Sequence, residues 1–344
     1  MNDSLPSVSP RHVLAAAKRL APSGLIRKTP LDPSLPLSAS IPADVYHKLE
    51  LFQPTGSFKV RGAANKLLRL RDEEQEAFRR GFVAASAGNH GLGLAHAASA
   101  LAARATLVVP RTVSPAKLES LWRYPVELIV SVGNYDVAEA DGRRIEAERG
   151  LTFVSPYNDA DVIAGAGTVG LEILADLPDV DLVVVPVGGG GLAAGIALYV
   201  KSVAPRTRVV GVQSEASPAM HKSLAAGHVT EAEELPSLAD GLSGNVEQGS
   251  ITFDLCRRFL DDLVLVTEAE IAEAMRHFLR EERLVVEGSA AVGAAALLAG
   301  KIDLARTGVA RPRVVNVVTG RNVSEATLRS ILSPPEAGQA KPEP

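Results

Sequence analysis

The chain has 344 residues, 46% of them hydrophobic but only 4% aromatic, which is enough for one large or two ordinary domains with cores of Ala, Val and Leu. A net charge of −4 without any long run of Lys and Arg excludes a nucleic-acid surface, which needs clustered cations. A single cysteine, Cys256, allows neither an internal disulfide nor a cysteine-type metal site. Residues 1–10 lack the apolar core of a signal peptide, and no stretch reaches membrane-span length without charges. The expectation is a soluble cytoplasmic protein.

Apolar strand-like runs alternate with helix-like segments along the chain. Residues 45–51 read as a strand and 58–70 as a helix. Residues 82–85 form a short strand, followed by a small-residue helix over 91–103. A strand over 105–109 precedes a helix over 117–123, opened by Ser114 with Pro115 behind it. Next come a strand over 127–132, a charged helix over 137–149 and a helix over 162–177. Residues 181–187 are nearly all β-branched, as suits a buried parallel strand. A helix over 192–203, a strand over 208–213, a strand over 264–267 leading into a helix over 268–283, and a last strand over 314–319 complete the pattern. This alternation predicts an α/β protein with parallel sheet. The tail over 333–344, with four prolines and polar filler, predicts disorder.

Four segments could carry chemistry. Lys59 follows the Pro54-Thr55-Gly56 turn at the start of a helix, where the positive end of the helix dipole lowers an amine pKa and favours reaction with a carbonyl. Ser86-Ala87-Gly88-Asn89-His90-Gly91 joins a strand to a Gly/Ala-rich helix, and backbone N–H groups at such a junction bind anions, here a substrate carboxylate. Gly188-Gly189-Gly190-Gly191 ends one strand and opens a helix, so the backbone can press against a phosphate. Thr319 sits directly after the last strand, at the sheet end where open α/β proteins bind ligands. Each has a bland alternative when taken alone: a solvated lysine, a capped turn, a helix cap. The glycine run also fits Gly-x-Gly-x-x-Ala, with Glu215 placed as a ribose-binding acid, so a nicotinamide-dependent oxidoreductase stays open at this point. His12, His47, His90, His96, His221, His228 and His277 show no zinc-site spacing, and no Gly-x-Ser-x-Gly nucleophile motif occurs.

Taken together and in order, these segments resemble the fold-type II pyridoxal-phosphate enzymes, in the threonine/serine dehydratase branch that also holds serine racemases and hydroxyectoine-utilization dehydratases. The residues carrying the resemblance are 55–62 (Thr-Gly-Ser-Phe-Lys-Val-Arg-Gly), 86–90, 162–168, the tetraglycine, 239–245 and 319–322. The resemblance implies two open, twisted, mostly parallel sheets flanked by helices. It implies a large cofactor-binding domain over 1–79 and 158–332, a small domain over 80–157, and a homodimer. It implies pyridoxal 5'-phosphate held covalently by Lys59, with Phe58 beside it. Gly188, Gly189, Gly190 and Gly191 would hold the phosphate, Asn89 the ring hydroxyl and Thr319 the pyridine nitrogen. Ser86, Ala87, Gly88 and His90 would take the carboxylate of a small amino-acid substrate. A hydroxyl at Thr319 leaves the pyridine nitrogen neutral, which favours eliminating a β-group over accumulating a carbanion. The implied reaction is dehydration and deamination of a small L-β-hydroxy amino acid, threonine before serine.

Several positions depart from the family pattern. Ala87 stands where racemases carry a second, serine base. Gln213 and Ala219 stand where some relatives ligate a divalent cation, so no metal is expected. Thr319 replaces a more usual serine, and Arg321 a small residue. Tyr157 falls where dehydratases have an aromatic. Glu287 matches a glutamate near the cofactor, and an ion pair would explain it equally well. No regulatory domain is expected after the catalytic region. Residues 220–227 and 281–293 are also compatible with a catabolic relative, whose substrate would be a hydroxyectoine derivative or 3-hydroxyaspartate and whose reaction would be elimination or β-replacement.

Overall fold

The computed structural model describes residues 8–333. Ten strands form two sheets. They are β1 (Leu31–Pro33), β2 (Asp44–Leu49), β3 (Phe82–Ala85), β4 (Ala105–Val109), β5 (Glu127–Val130), β6 (Thr152–Phe153), β7 (Leu182–Pro186), β8 (Arg208–Ser214), β9 (Asp262–Val266) and β10 (Arg313–Val318). The larger sheet runs β1-β2-β10-β7-β8-β9 and the smaller β5-β4-β3-β6. Every pairing is parallel except β1 with β2. The apolar run of β7 is buried along its whole length, with β10 on one side and β8 on the other. That double burial is why its sequence does not alternate. Helices cover both faces of the larger sheet: Ala160–Asp176 and Gly191–Val203 on one, Glu268–His277 and Gly288–Leu298 on the other.

Most predicted strands and helices match to within a few residues, and the departures have local causes. The strand expected over 45–51 stops at Leu49, and a 3-10 turn, Glu50–Phe52, follows because Glu50 turns inward to meet Arg61. The helix expected over 268–283 ends at His277 and continues as one π-helical turn, Phe278–Glu282, with Arg283 left-handed at φ 59°. Wide turns of this kind bring a side chain inward, and Glu282 here meets Ser34 and His47. The predicted tail lies outside the described residues beyond Ser333.

Glycines set the distances that place the site. A Cβ at Gly165 would lie 2.6 Å from the carbonyl oxygen of Arg61, and one at Gly62 would lie 2.7 Å from Val162. A Cβ at Gly93 would lie 3.1 Å from the carbonyl carbon of Lys59. The helix that begins at Lys59 (Lys59–Glu73) is therefore clasped at its first turn by two Gly/Ala-rich helices, Ala160–Asp176 and Asn89–Ala100. Beneath it, fully buried Arg61 binds Glu50 through Nε and Nη2 at 2.7 Å each, and Glu172 through Nη1 at 2.7 Å. Lys48 joins Glu172 at 2.6 Å and the Thr29 carbonyl at 2.8 Å. These paired charges fix the start of the helix from below.

Candidate active site

The chemistry-bearing loops all leave the carboxyl ends of parallel strands, where ligands of open α/β sheets bind. Residues 86–91 follow β3, the tetraglycine follows β7, and Thr319 follows β10. The loop before Lys59 is stitched to the one after β10. Phe58 N donates to Thr319 O (3.1 Å), Arg321 N donates to Gly56 O (3.0 Å), and Ser57 bridges Gly320. Phe58 caps the helix that Lys59 opens, its ring centroid 5.4 Å from Lys59 Nζ.

A short segment, residues 154–157, ties the remaining pieces together. Lys59 Nζ donates to Pro156 O at 2.8 Å. The His90 Nε2 donates to Val154 O at 2.8 Å. The Tyr157 ring lies where a Cβ on Gly189 would sit, 2.5 Å away, and its hydroxyl accepts from Glu247 N at 3.1 Å. The tetraglycine is walled on its other sides as well. A Cβ on Gly188 would meet the Leu242 backbone at 2.9 Å, and Gly190, at φ +88°, faces Met220, Thr252 and Cys256. Thr252 Oγ1 donates to Gly189 O at 2.6 Å, so that carbonyl is engaged at the back of the loop. The N-terminus of the helix Gly191–Val203 opens here and offers N–H groups to an anion. Gly189→Ala is therefore expected to displace Tyr157 and weaken binding of a phosphate-bearing ligand by tenfold or more; titrating the variant with the ligand checks this.

The electrostatics single out three groups. Burial pulls the Lys59 amine down to about 8, against the charge of Glu287. Burial, then the Lys59 charge, pushes His90 down to about 3, so its imidazole is neutral. Its Nδ1 is buried without a partner. Burial, then Asp240, raises Glu287 to about 7, despite hydrogen bonds from Asn322 N and Asn89.

Of the residues expected at the site, Lys59, Phe58, Asn89, His90, the four glycines and Thr319 are linked by these contacts. Ser86 Oγ accepts from Gly88 N at 3.2 Å and shapes the turn that holds Ala87. The His90 side chain points at Val154. Arg321 is exposed, 5.7 Å from the Phe52 ring. Gln213 Oε1 accepts from His221 N at 3.0 Å. Among the described residues, no group of three or more His, Cys, Asp or Glu is arranged to hold a metal ion, and no helix is long and apolar enough to cross a membrane. Sequence reasoning missed Pro156, Thr252 and Glu247 and named Asn322 only within the 319–322 stretch. Pro156 acts through its carbonyl and Glu247 through its backbone N–H, while Thr252 and Asn322 act through side-chain hydrogen bonds to segments distant in the chain, so none leaves a periodic signal.

A pyridoxal phosphate fits this arrangement. A half-buried amine with a lowered pKa, a glycine loop opening a helix N-terminus, and a hydroxyl residue at a strand end suit its aldehyde, its phosphate and its ring nitrogen. The family model for "Pyridoxal-phosphate dependent enzyme" matches residues 22–320. An L-threonine ammonia-lyase of Thermotoga maritima is 41% identical over 309 residues, covering 90% of this chain and 75% of the relative. The catabolic L-threonine dehydratase TdcB of Escherichia coli K12 is 39% identical over 319 residues, covering 93% and 94%. The structure of maize serine racemase superposes with a TM-score of 0.87 at 30% identity, covering 94% of this chain and 96% of that one. Over most of its length, therefore, the protein belongs to the pyridoxal-phosphate-dependent enzymes of fold type II.

Proposed function

We propose that this enzyme is an ammonia-lyase that converts a small L-β-hydroxy amino acid, L-threonine before L-serine, into a 2-oxo acid and ammonia. The observation that carries the proposal is the half-buried Lys59 amine, held at 2.8 Å on the carbonyl of Pro156, whose neighbour Tyr157 packs on the glycine loop, while Phe58 N bonds the strand-end Thr319 carbonyl. When bound, the cofactor supplies the electron sink that makes the substrate Cα proton acidic. Lys59 would hold the cofactor and, with its amine free, would take the substrate Cα proton as general base. Gly188, Gly189, Gly190 and Gly191 would hold the phosphate. Asn89 would contact the ring hydroxyl, and Thr319 would serve the ring nitrogen with a hydroxyl, which leaves that nitrogen neutral. Ser86, Ala87, Gly88 and His90 grip the substrate carboxylate through their backbone. The β-hydroxyl leaves with a proton as water. The enamine so formed takes up water after release and gives the oxo acid and ammonia.

Ala87 bears on stereochemistry. A methyl group cannot carry a proton to the face opposite Lys59, so the Cα configuration of unreacted substrate is expected to be retained. Chiral chromatography of partly consumed L-serine is expected to show no D-serine, and steady D-serine accumulation would overturn this reading. Homodimer assembly and a cytoplasmic location belong to the same proposal; a dimer mass in solution checks the first.

The lowered Lys59 pKa has a kinetic consequence. An amine must be neutral to attack the cofactor aldehyde. With a pKa of about 8, roughly a tenth of Lys59 is neutral at pH 7, against under a thousandth for an ordinary lysine. Cofactor loading onto the apoenzyme is expected to speed up roughly tenfold per pH unit below 8 and to level off above it. A rate still climbing at the same slope at pH 10 would show that the burial does not act on this amine.

The test of the function is a 2-oxo acid assay on cofactor-loaded enzyme with L-threonine, L-serine, their D-forms and L-threo-3-hydroxyaspartate. Oxo acid from L-threonine or L-serine is the expected result. Product from L-threo-3-hydroxyaspartate alone would move the assignment to a catabolic eliminase.

A further inference from the structure

The Asn89 amide can face its neighbours either way round, and only one way presents a donor to the hydroxyl of a pyridoxal ring. Its surroundings select that way. Asn89 Nδ2 donates to Glu287 Oε1 at 2.8 Å, and Asn89 Oδ1 accepts from Asn322 Nδ2 at 2.6 Å. An ionised carboxylate can only accept, so it takes the NH2 end. Asn322 is itself held, since its Nδ2 also donates to Thr55 O at 2.9 Å and its backbone N–H donates to Glu287 Oε2 at 3.0 Å. Glu287 is buried, and its backbone N–H donates to Gly320 O at 3.2 Å. A Cβ at Gly320 would stand 2.5 Å from Glu287 Oε1, so the carboxylate reaches its partners only because residue 320 is glycine.

We propose that Glu287 and Asn322 are positioning residues that lock the Asn89 amide with its NH2 toward Glu287, so that the second N–H faces the cofactor ring hydroxyl. The proposal rests on the reading above that Asn89 contacts that hydroxyl. The lock joins the loop after β3, in the smaller sheet, to the loop after β10 and the start of the helix Gly288–Leu298, and through Thr55 to the turn before Lys59. Its strength depends on the charge of Glu287, which faces Asn89 and Asn322, with the charges of Asp240, Lys117 and Lys59 acting on it. A protonated Glu287 has a donor of its own and no longer selects the NH2 end of Asn89.

Cofactor affinity of the apoenzyme, read from the absorbance of bound pyridoxal phosphate, tests the lock. Asn89→Ala, Glu287→Gln and Asn322→Ala are each expected to weaken binding about tenfold, the scale of one charge-assisted hydrogen bond. The double variant Asn89→Ala/Glu287→Gln should bind no more weakly than Asn89→Ala, because Glu287 acts through Asn89. Multiplying losses would make Glu287 a merely structural residue and overturn the lock. Unchanged binding by Asn89→Ala would instead remove the Asn89 contact on which the lock rests. On the unmutated enzyme, the affinity relative to Glu287→Gln should fall as pH drops through about 7. A ratio flat across that range also overturns the proposal, and apoenzyme melting curves identify any variant that fails to fold.

Discussion

Lys59→Ala is expected to leave a folded protein that forms no measurable 2-oxo acid from L-threonine. On the proposed roles of Lys59, the variant loses two functions at once, the covalent hold on the cofactor and the general base, and the base alone is worth about 10² to 10⁴ in rate. Folding should not suffer. The amine in the native state is buried enough to be pulled down to about 8, so it is held at a cost in desolvation, offset in part by the Pro156 carbonyl and the Glu287 charge. Removing it eliminates that cost and leaves a small gap at a helix N-terminus. A melting temperature close to the parent's, together with absent turnover, is the expected pair of results. Retained activity would mean that another group carries the chemistry.

Arg61→Ala should do the reverse and damage stability first. Its guanidinium is fully buried and shared by two carboxylates, one of them, Glu50, completely buried. Burial acts to raise the Glu50 pKa, but Arg61, Thr29 and Lys48 outweigh it and hold the carboxyl below its usual range. Deleting the arginine leaves the buried Glu50 charge without its ion-pair partner, with only the hydrogen bonds from Thr29 and Gln53, which costs about 3–5 kcal/mol. Thermal or denaturant unfolding measures the loss, and a shift below about 1 kcal/mol would show that solvent or Lys48 compensates. The same depression fixes the sign of a pH effect. Because the folded-state pKa of Glu50 lies below its unfolded value, its contribution is present at neutral pH and lost as pH falls below the ordinary carboxylate range. The parent enzyme should therefore lose stability in acid, and Glu50→Gln should flatten that dependence.

The sequence made the strand framework readable and left the closing of the cleft obscure, for physical reasons. Buried parallel strands such as β7 need apolar residues on both faces, so Leu182–Pro186 announces itself without alternation. The helix Gly288–Leu298 is buried all round and made of Gly, Ser, Ala, Val and Leu, so no polar face marks its period, and it was not anticipated. The glycines of residues 162–168, named for a family resemblance, also have a steric part: Gly165 lets its helix close on Arg61 and Gly62, and Gly167 lets it close on Gly195. The places of Lys59, the tetraglycine and Thr319 in the fold were legible because each follows or precedes a recognisable element. The segment 154–157 was not, because Pro156 and Val154 contribute carbonyl oxygens, which every residue has. Glu287 stood between an ion pair and a site residue. Its partners turned out to be two asparagines, Asn89 and Asn322, from loops far apart in the chain, a convergence that sequence spacing cannot show.

The most direct measurement of the central claim is to reduce the yellow, cofactor-loaded enzyme with borohydride, digest it and locate the modified lysine by mass spectrometry. The geometry predicts the pyridoxyl group on Lys59, in the peptide containing residues 55–62. A label on any other lysine, or none on a protein that still turns over L-threonine, would contradict it.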